Sequence, residues 1–406
     1  MDILFITHRR PKIPGKGDQV RAFQQMVSLL KRGHRVHCLF QEKNEAYCYS
    51  LSSAKGDMEE QYRLKGNAGY LPLLKGFFLK GYPLSVSLHS FSALTSLLQQ
   101  LLSCTDYDVI HIQSKLVHNF TTVQPPRSTV VIDYIDAISL HLERRYKRVK
   151  NPIEKLAVKG ELVRMKKYEA FLKNQEAKAI ITSPADKEFL HFGRASQADV
   201  VPNYIDLSYF HLNPLIKSKK TALVFTGTMS YAPNVDAAVR LVKDIYQPLK
   251  KKLPDLECWI VGTNPSSAVK RLSNISGVTV TGFVEDIREW QWRAAVYVCP
   301  LRFGAGQQNK ILEAAALGCP IVMSRITNLG IGFADQEEAV ICEQDQEFIA
   351  QTEKLLADHH LREALGGGAR QFVAARFSEE KVANQLIAAY ADRVYQLKNK
   401  EVEACK

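Results

Sequence analysis

The chain has 406 residues, 46% hydrophobic and 24% charged, with a formal net charge of +12. That length suits two domains rather than one, and the balance excludes a largely disordered chain. No apolar run approaches the roughly 18 residues that span a bilayer, and the apolar stretch before the first charges is too short for a signal peptide. The eight Cys residues form no CxxC pair. Neither a zinc site nor a disulfide framework is expected, and a reducing cytosol is the expected compartment. Residues 1–206 hold 30 Lys and Arg against 20 Asp and Glu, whereas the remainder holds 24 against 22. A basic first half suits an anionic membrane surface, a phosphorylated substrate or nucleic acid, or is a solvated face without a partner.

In chain order, ILFIT reads as a buried strand, HRRPKIPGKGDQ as a loop, and VRAFQQMVSLLKRG as a helix with Gly33 as its C-cap. RVHCLF is the next strand, so a βαβ unit and a parallel sheet are expected. DVIHI (108–112), TVVIDYI (129–135) and AKAIITS (177–183) are further strands, and a long charged helix runs from about Pro152 to Gln175. The alternation restarts at TALVFTG (221–227), followed by a helix and by the strands ECWIVG, VTVTG, VYVCPL and PIVMS. Two such blocks predict an α/β protein of two Rossmann-like domains, 1–206 and 207–378, facing each other across a cleft. The polar stretch 207–220 is the junction. The last helix, 379–398, fits either domain by its pattern alone. Ligands of such domains bind at the carboxyl ends of the strands.

The sharpest segment is PLRFGAGQQNKILEAAALGCPIVMS (300–324). A strand ends at Pro300, a loop carries Gly304 and Gly306, and a helix opens near Asn309. The glycines let backbone approach a ligand, and free N–H groups with the helix dipole favour a phosphate. Lys310 adds positive charge, and Glu313, one turn further, is placed for bidentate hydrogen bonds to ribose hydroxyls. Residue by residue, a Gly-rich turn with a solvated Glu is an equal reading; the whole string favours a ligand site.

LEAAALGCPIV resembles the donor-site helix, LEAMAxGxPVV, of the large retaining family 4 of GT-B glycosyltransferases. The resemblance implies that Glu313 holds the nucleotide ribose. Ala305 stands where the first Glu of that family's E-x7-E motif falls, and Gly304, Gly306 and Lys310 match a subgroup reading GxGxxxKxxEA instead. FTGTMSYAPNVDAA (225–238) is similar to the first strand and loop of the donor domain, which would set Gly227 and Thr228 under the diphosphate. The Arg and Lys of many relatives are absent there, and Lys310 with Arg302 would replace them. Gly262, in WIVGTNP, would lie on a donor-facing loop, and Gly282, Phe283 and Val284 would contact the nucleobase. Ala305 and Gln307 complete the donor loop. VVPNYIDLSYF resembles the family's hinge, and 369–394 its C-terminal helices, the last crossing back to the first domain.

In the first half, PGKGDQVRAF resembles PxxKGDKxRxF of a subgroup associated with exosortase and exopolysaccharide systems. Lys16, Gly17, Asp18 and Arg21 would form an anion- and sugar-binding loop for the acceptor; a surface turn with Asp18 as helix cap is the equal alternative. VIDYIDAIS resembles DxxDxxS, which would point Asp136 into the cleft near the transferred sugar, with Ser139 beside it. Ile135 stands where many members carry His, so no catalytic His is assigned, and neither His111 nor His118 is promoted. SPADKEFL puts Ser183 at a strand's carboxyl end, and Tyr168-Glu169 reads as charged helix surface, with an acceptor-side role as the alternative.

The resemblance implies a retaining transferase moving sugar from a UDP- or GDP-sugar to a glycan, lipid-linked or small-molecule acceptor in cell-envelope or polysaccharide biosynthesis. Asp136, Lys310 and Glu313 are its catalytic candidates. No DxD lies between a strand and a loop and no ligand-spaced His/Cys/carboxylate cluster is found, so neither metal nor cofactor beyond the nucleotide sugar is expected. The expected location is cytoplasmic, peripheral on the inner face of the membrane, through the basic runs 8–12, 143–150 and 164–167 beside 71–84. A UDP-N-acetylglucosamine 2-epimerase would need several carboxylates and His residues at the donor sugar, which are missing. An inactive nucleotide-sugar-binding protein is consistent with Ala305 and Ile135. A nucleic-acid binder lacks any stacking-aromatic or recognition-helix motif.

Overall fold

The computed structural model describes the chain apart from residues 43–44, 54–55, 66–73, 90–91, 121–127, 193–197, 214–220, 305 and 405–406. It divides into two compact units, Met1–Asn203 with Glu379–Lys406, and Tyr204–Ser378. The division thus falls three residues before the expected 206/207 boundary, and the last helix belongs to the first unit.

The first unit is built on an eight-stranded sheet in the order β4-β3-β2-β1-β5-β6-β7-β8. Its strands are β1 (Asp2–Thr7), β2 (Arg35–Glu42), β3 (Glu45–Leu51), β4 (Met58–Lys65), β5 (Val109–Gln113), β6 (Thr129–Asp133), β7 (Lys178–Ile181) and β8 (Ala198–Val200). β1 and β5 are buried almost throughout, on both faces, as interior strands of a parallel sheet must be. The sheet departs from the expected parallel arrangement at one edge, where β3 and β4 pair antiparallel with β2 and with each other. β4, MEEQYRLK, is largely exposed and charged, the composition that keeps an edge strand from pairing with another chain.

Four helices of this unit matter here: α1 (Gly17–Leu30), α2 (Ser92–Cys104), α3 (Ile138–Tyr146) and α4 (Pro152–Lys173). α1 buries Ala22, Met26 and Leu29, one helical stripe, and Gly33 at φ 79° supplies the left-handed turn behind it. α4 starts where the Asn151 side chain accepts from the N–H groups of Ile153 and Glu154, ahead of Pro152 in the first turn.

The second unit carries a six-stranded sheet, β11-β10-β9-β12-β13-β14, all parallel. Its strands are β9 (Ala222–Thr226), β10 (Glu257–Val261), β11 (Val278–Gly282), β12 (Val296–Cys299), β13 (Ile321–Ser324) and β14 (Val340–Cys342). Around it lie α5 (Ala232–Arg240), α6 (Asn309–Ala316), α7 (Asp345–Ala357) and α8 (His359–Arg376); α9 (Glu379–Ala404) returns to the first unit. In each sheet the strand order reverses once, between β1 and β5 and between β9 and β12. Loops diverge at the carboxyl ends of such strand pairs and leave a crevice for a ligand.

Among the described residues, no helix is long and apolar enough to cross a membrane.

Candidate functional site

In the second unit, the loops after β9, β10 and β12 and the start of α6 converge. Gly227 follows β9 at φ 153°, and Gly262 follows β10 at φ 145°. A Cβ on Gly262 would lie 1.8 Å from the Gly227 carbonyl oxygen, and one on Gly227 would lie 2.6 Å from Asn234 Nδ2. Only glycine fits at either position. The crowding brings the backbone of both loops within reach of a bound group, and Gly262 N–H is tied to the Gly282 carbonyl at 3.2 Å. Thr228 is exposed beside Gly227.

Lys310, in the first turn of α6, donates from Nζ to Asn234 Oδ1, and Asn234 Nδ2 donates to the Thr228 carbonyl at 3.1 Å. The ammonium also sits 4.9 Å from the Phe225 ring centroid. Burial lowers its pKa. One turn on, the Glu313 carboxylate has no hydrogen-bond or ion-pair partner among the described residues. Burial pushes its pKa up to about 7, against the pull of Lys310. A carboxylate partnerless among the described residues, one turn into α6 and near a cation held by an amide, offers a hydrogen-bond acceptor and a positive charge side by side.

The other residues expected on the donor side divide. Gly304 is buried and Gly306 takes φ 70° in the loop after β12, Gln307 is buried, and Ala305 lies outside the described residues. Phe283 is 72% exposed, while Val284 packs on the core. Arg302 is engaged elsewhere: its guanidinium forms a two-pronged pair with Asp236, with Nε 2.8 Å from Oδ2. Lys310 is therefore the cation nearest the glycines, and Asn234, which aims it, escaped the sequence reading although it stands in the quoted FTGTMSYAPNVDAA motif.

In the first unit, Asp136 lies just past β6, accepting from Thr182 Oγ1 at 3.2 Å. Burial, then the nearby Asp186 charge, pushes its pKa up to about 7. Ile135 immediately before it holds φ 62°, and the Asp136 N–H closes back on the Tyr134 carbonyl at 2.7 Å. That tight turn is a costly conformation for a β-branched residue. It is fixed from both sides, because Ile135 N–H donates to Asp133 Oδ1 and its carbonyl accepts from Thr182 N–H. Strain held by surrounding bonds is common where a fold aims a functional group.

The 16–21 segment splits between surface and core. Lys16 and Gly17 are exposed. Asp18 sits inside the first turn of α1 and does not cap it; the Lys16 N–H is met by Gln19 Oε1. The Asp18 carboxylate instead joins His8 Nε2 at 2.9 Å and Arg9 Nη1 at 3.0 Å, contacts that hold its pKa well below the usual range despite burial. Arg21 is enclosed, donating to both oxygens of Asp133 at 2.8 and 3.2 Å and to Asn203 Oδ1 at 3.0 Å. His111 bridges Asp133 to the hydroxyl of Tyr390 on α9, at 3.4 and 2.7 Å. Arg21 therefore fastens α1, β6, the end of the unit at Asn203 and the returning helix.

Ser139 is buried and donates its N–H, at 3.0 Å, and its hydroxyl to Glu169. The reading of Tyr168-Glu169 as charged surface is corrected: Glu169 is buried as an anionic partner for the first turn of α3, and the Tyr168 hydroxyl donates to the Ser114 carbonyl at 2.8 Å. The crevice between β1 and β5 adds residues to which the sequence assigned no role in a site. His8 N–H donates to Gln113 Oε1 at 3.0 Å, and the His8 ring stands edge-on to His89 at 4.9 Å. Lys115, following β5, has its pKa lowered by burial. His8 and Lys115 each stand just past an apolar strand, the one signal that marked them.

Residues 220–358, about a third of the chain, match the family described as glycosyl transferases group 1. The second unit is thus a glycosyltransferase domain and the chain a glycosyltransferase. Over its whole length the chain is similar to sucrose-phosphate synthase from Thermosynechococcus elongatus, with 16% identity, 97% of this chain and 99% of that one covered, and a TM-score of 0.71. It is also similar to a glycosyltransferase from Rickettsia africae, at 13% identity, with 96% and 98% covered and a TM-score of 0.64. The Anabaena protein HepE, solved in complex with UDP, follows the chain at 14% identity, with 97% and 100% covered and a TM-score of 0.61. These likenesses establish the GT-B fold. No curated protein matches the sequence.

Proposed function

We propose that the chain is a retaining glycosyltransferase that moves sugar from a UDP- or GDP-sugar to a glycan, lipid-linked or small-molecule acceptor in cell-envelope or polysaccharide biosynthesis. The observation that carries this reading is the Glu313 carboxylate, partnerless among the described residues one turn from Lys310, whose ammonium lies beside the Gly227–Gly262 crowding. In the proposed complex Glu313 accepts from the ribose hydroxyls, and the backbone after β9 and β12 lies along the diphosphate. The exposed Phe283 and its neighbours Gly282 and Val284 receive the base. The UDP bound by HepE supports a nucleotide donor.

The bond from the sugar anomeric carbon to the diphosphate oxygen breaks, and a bond from that carbon to the acceptor oxygen forms on the same face. The acceptor proton passes to the departing diphosphate oxygen. Lys310 and fixed N–H dipoles stabilise the leaving charge, which is electrostatic preorganisation without a metal. Asp136 serves the acceptor side, where its carboxylate orients the incoming hydroxyl. The enzyme would work in the cytoplasm, peripheral to the inner face of the membrane.

Nucleoside diphosphate release from a panel of nucleotide sugars, with and without added glycan or lipid-linked acceptors, tests this reading. Acceptor-dependent release that persists in EDTA, with the anomeric configuration kept in the product, is expected. Release lost in EDTA would overturn the metal-free step, and an inverted product the retaining one. Donor binding without release on any acceptor would mark an inactive binding protein.

A further inference from the structure

α4 presents apolar residues to two sides, while core packing uses only one. Val158, Leu162, Met165 and Leu172 are buried. On the other side Ile153, Leu156 and Val163 are 80%, 72% and 48% exposed, in line with Gly160 at helical spacing. Next to them, the short helical turn Lys75–Leu79 leaves Phe78 and Leu79 70% and 79% exposed. A groove of about 640 Å³ is lined by α4 and by Lys80–Tyr82, which follow that turn, Leu156 and Val163 contributing apolar wall and Lys80, Lys159, Arg164 and Lys167 the charge. Among the described residues, no carboxylate lines it. Glu161, the acid of this stretch of α4, is already engaged by the N–H groups of Leu84 and Ser85 at 2.9 and 3.1 Å. Those bonds fix the 84–85 backbone against α4. Arg164 is steadied by stacking 3.7 Å from the Phe77 ring centroid.

Other basic runs of this unit are partly neutralised. Glu143 pairs with Lys147 and Lys166 at 3.2 and 3.0 Å, Glu154 with Arg145 at 2.8 Å, and Asp18 with Arg9. Cations with no carboxylate partner among the described residues thus lie together with protruding apolar side chains along α4 and the 75–80 turn. Contiguous apolar exposure of this kind marks an interaction surface. A rim of cations without acids matches the headgroup region of an anionic bilayer, with the apolar side chains entering the acyl boundary.

We propose that this face of the first unit seats on an anionic lipid surface, with Phe78, Leu79, Ile153 and Leu156 inserted and Lys80, Lys159, Arg164 and Lys167 meeting lipid phosphates. The proposal rests on the membrane-side reading of the function above for its purpose, and on the first unit alone for its geometry.

Flotation of the full chain with vesicles of phosphatidylcholine, alone or mixed with phosphatidylglycerol, tests it. Wild type should float with the mixed vesicles only, and less as salt rises. Each removed cation lowers the partition constant about fivefold, so Lys80→Ala, Lys159→Ala and Lys167→Ala together should lower it about a hundredfold. Phe78→Ser with Leu79→Ser should also abolish recovery. All five positions are exposed, and unchanged thermal transitions would confirm folding. Equal recovery with both vesicles, no recovery with either, or variants that float like wild type would overturn the proposal. So would self-association removed by the Phe78/Leu79 variant without vesicle binding, which would assign the face to a second copy. Nucleotide-sugar binding on the same samples separates the two readings. Retained binding without flotation overturns docking alone, and flotation without nucleotide binding overturns the transferase reading alone.

Discussion

Replacing Glu313 by Gln keeps the shape and removes the charge. Burial raises this carboxyl from an ordinary value near 4.5 to about 7. At about 1.4 kcal/mol for each pH unit between those values, the ionised form costs the folded second unit about 3 kcal/mol when no ligand is bound. The folded state holds the proton longer than the unfolded one. Stability from this group is therefore fully present below the unfolded value near 4.5 and is lost as pH rises towards 7. Glu313→Gln should be more stable than wild type by about 3 kcal/mol at pH 8, and by under about 1 kcal/mol at pH 5. For a unit of this size each kcal/mol moves the transition by about 2–4 °C, a difference that thermal unfolding at the two pH values resolves. The same change should weaken nucleotide binding at least tenfold, because hydrogen bonds to a charged acceptor are worth about 1.5–3 kcal/mol each. Calorimetric titration reads that loss. A variant no more stable than wild type at pH 8, with unaltered nucleotide affinity, would refute both the strained carboxylate and its role.

Lys310→Ala should lower turnover more than donor affinity, since the ammonium meets charge that develops at the leaving group; equal losses in steady-state kinetics and direct titration would reduce it to a binding contact. With Asp136 pushed up to about 7, kcat/KM should rise with pH through that value, and Asp136→Asn should flatten the acid limb; an unchanged profile would remove Asp136 from the chemistry. Asp133→Ala leaves Arg21 buried without its carboxylate and should cost about 3–5 kcal/mol in urea unfolding of the first unit. Because Arg21 and His111 hold the Asp133 pKa below its usual range, that contribution exists above the ordinary carboxylate range and fades in acid. A loss under 1 kcal/mol would contradict the network.

The alternation of apolar strands and amphipathic helices made both sheets legible, because parallel strands are buried on both faces and read as unbroken apolar runs. The β3–β4 hairpin was not legible. β4 carries four charged residues in eight, and β3 alternates around polar positions, patterns shared with loops. The glycine loops after β9 and β10 were visible because Gly227 and Gly262 occupy conformations that other residues resist. Arg21 shows the limit of a local motif. Its position in PGKGDQVRAF suggests a ligand, yet its partner Asp133 is 112 residues away, and such a pairing has no local trace. Glu169 was misjudged for the same reason, since its partner lies in another helix. The strain at Ile135 was hidden as well, because a β-branched residue gives no sequence signal for a left-handed turn.

Thermal unfolding of the full chain against UDP-, GDP- and ADP-sugars addresses the donor site most directly. A ligand present at about 100 times its dissociation constant adds about 2.7 kcal/mol to the unit that binds it. A UDP- or GDP-sugar should raise the wild-type transition, and the increment should largely vanish in Glu313→Ala at the same concentration. No response to any nucleotide sugar, or an equal response in Glu313→Ala, would contradict a donor site built on Glu313.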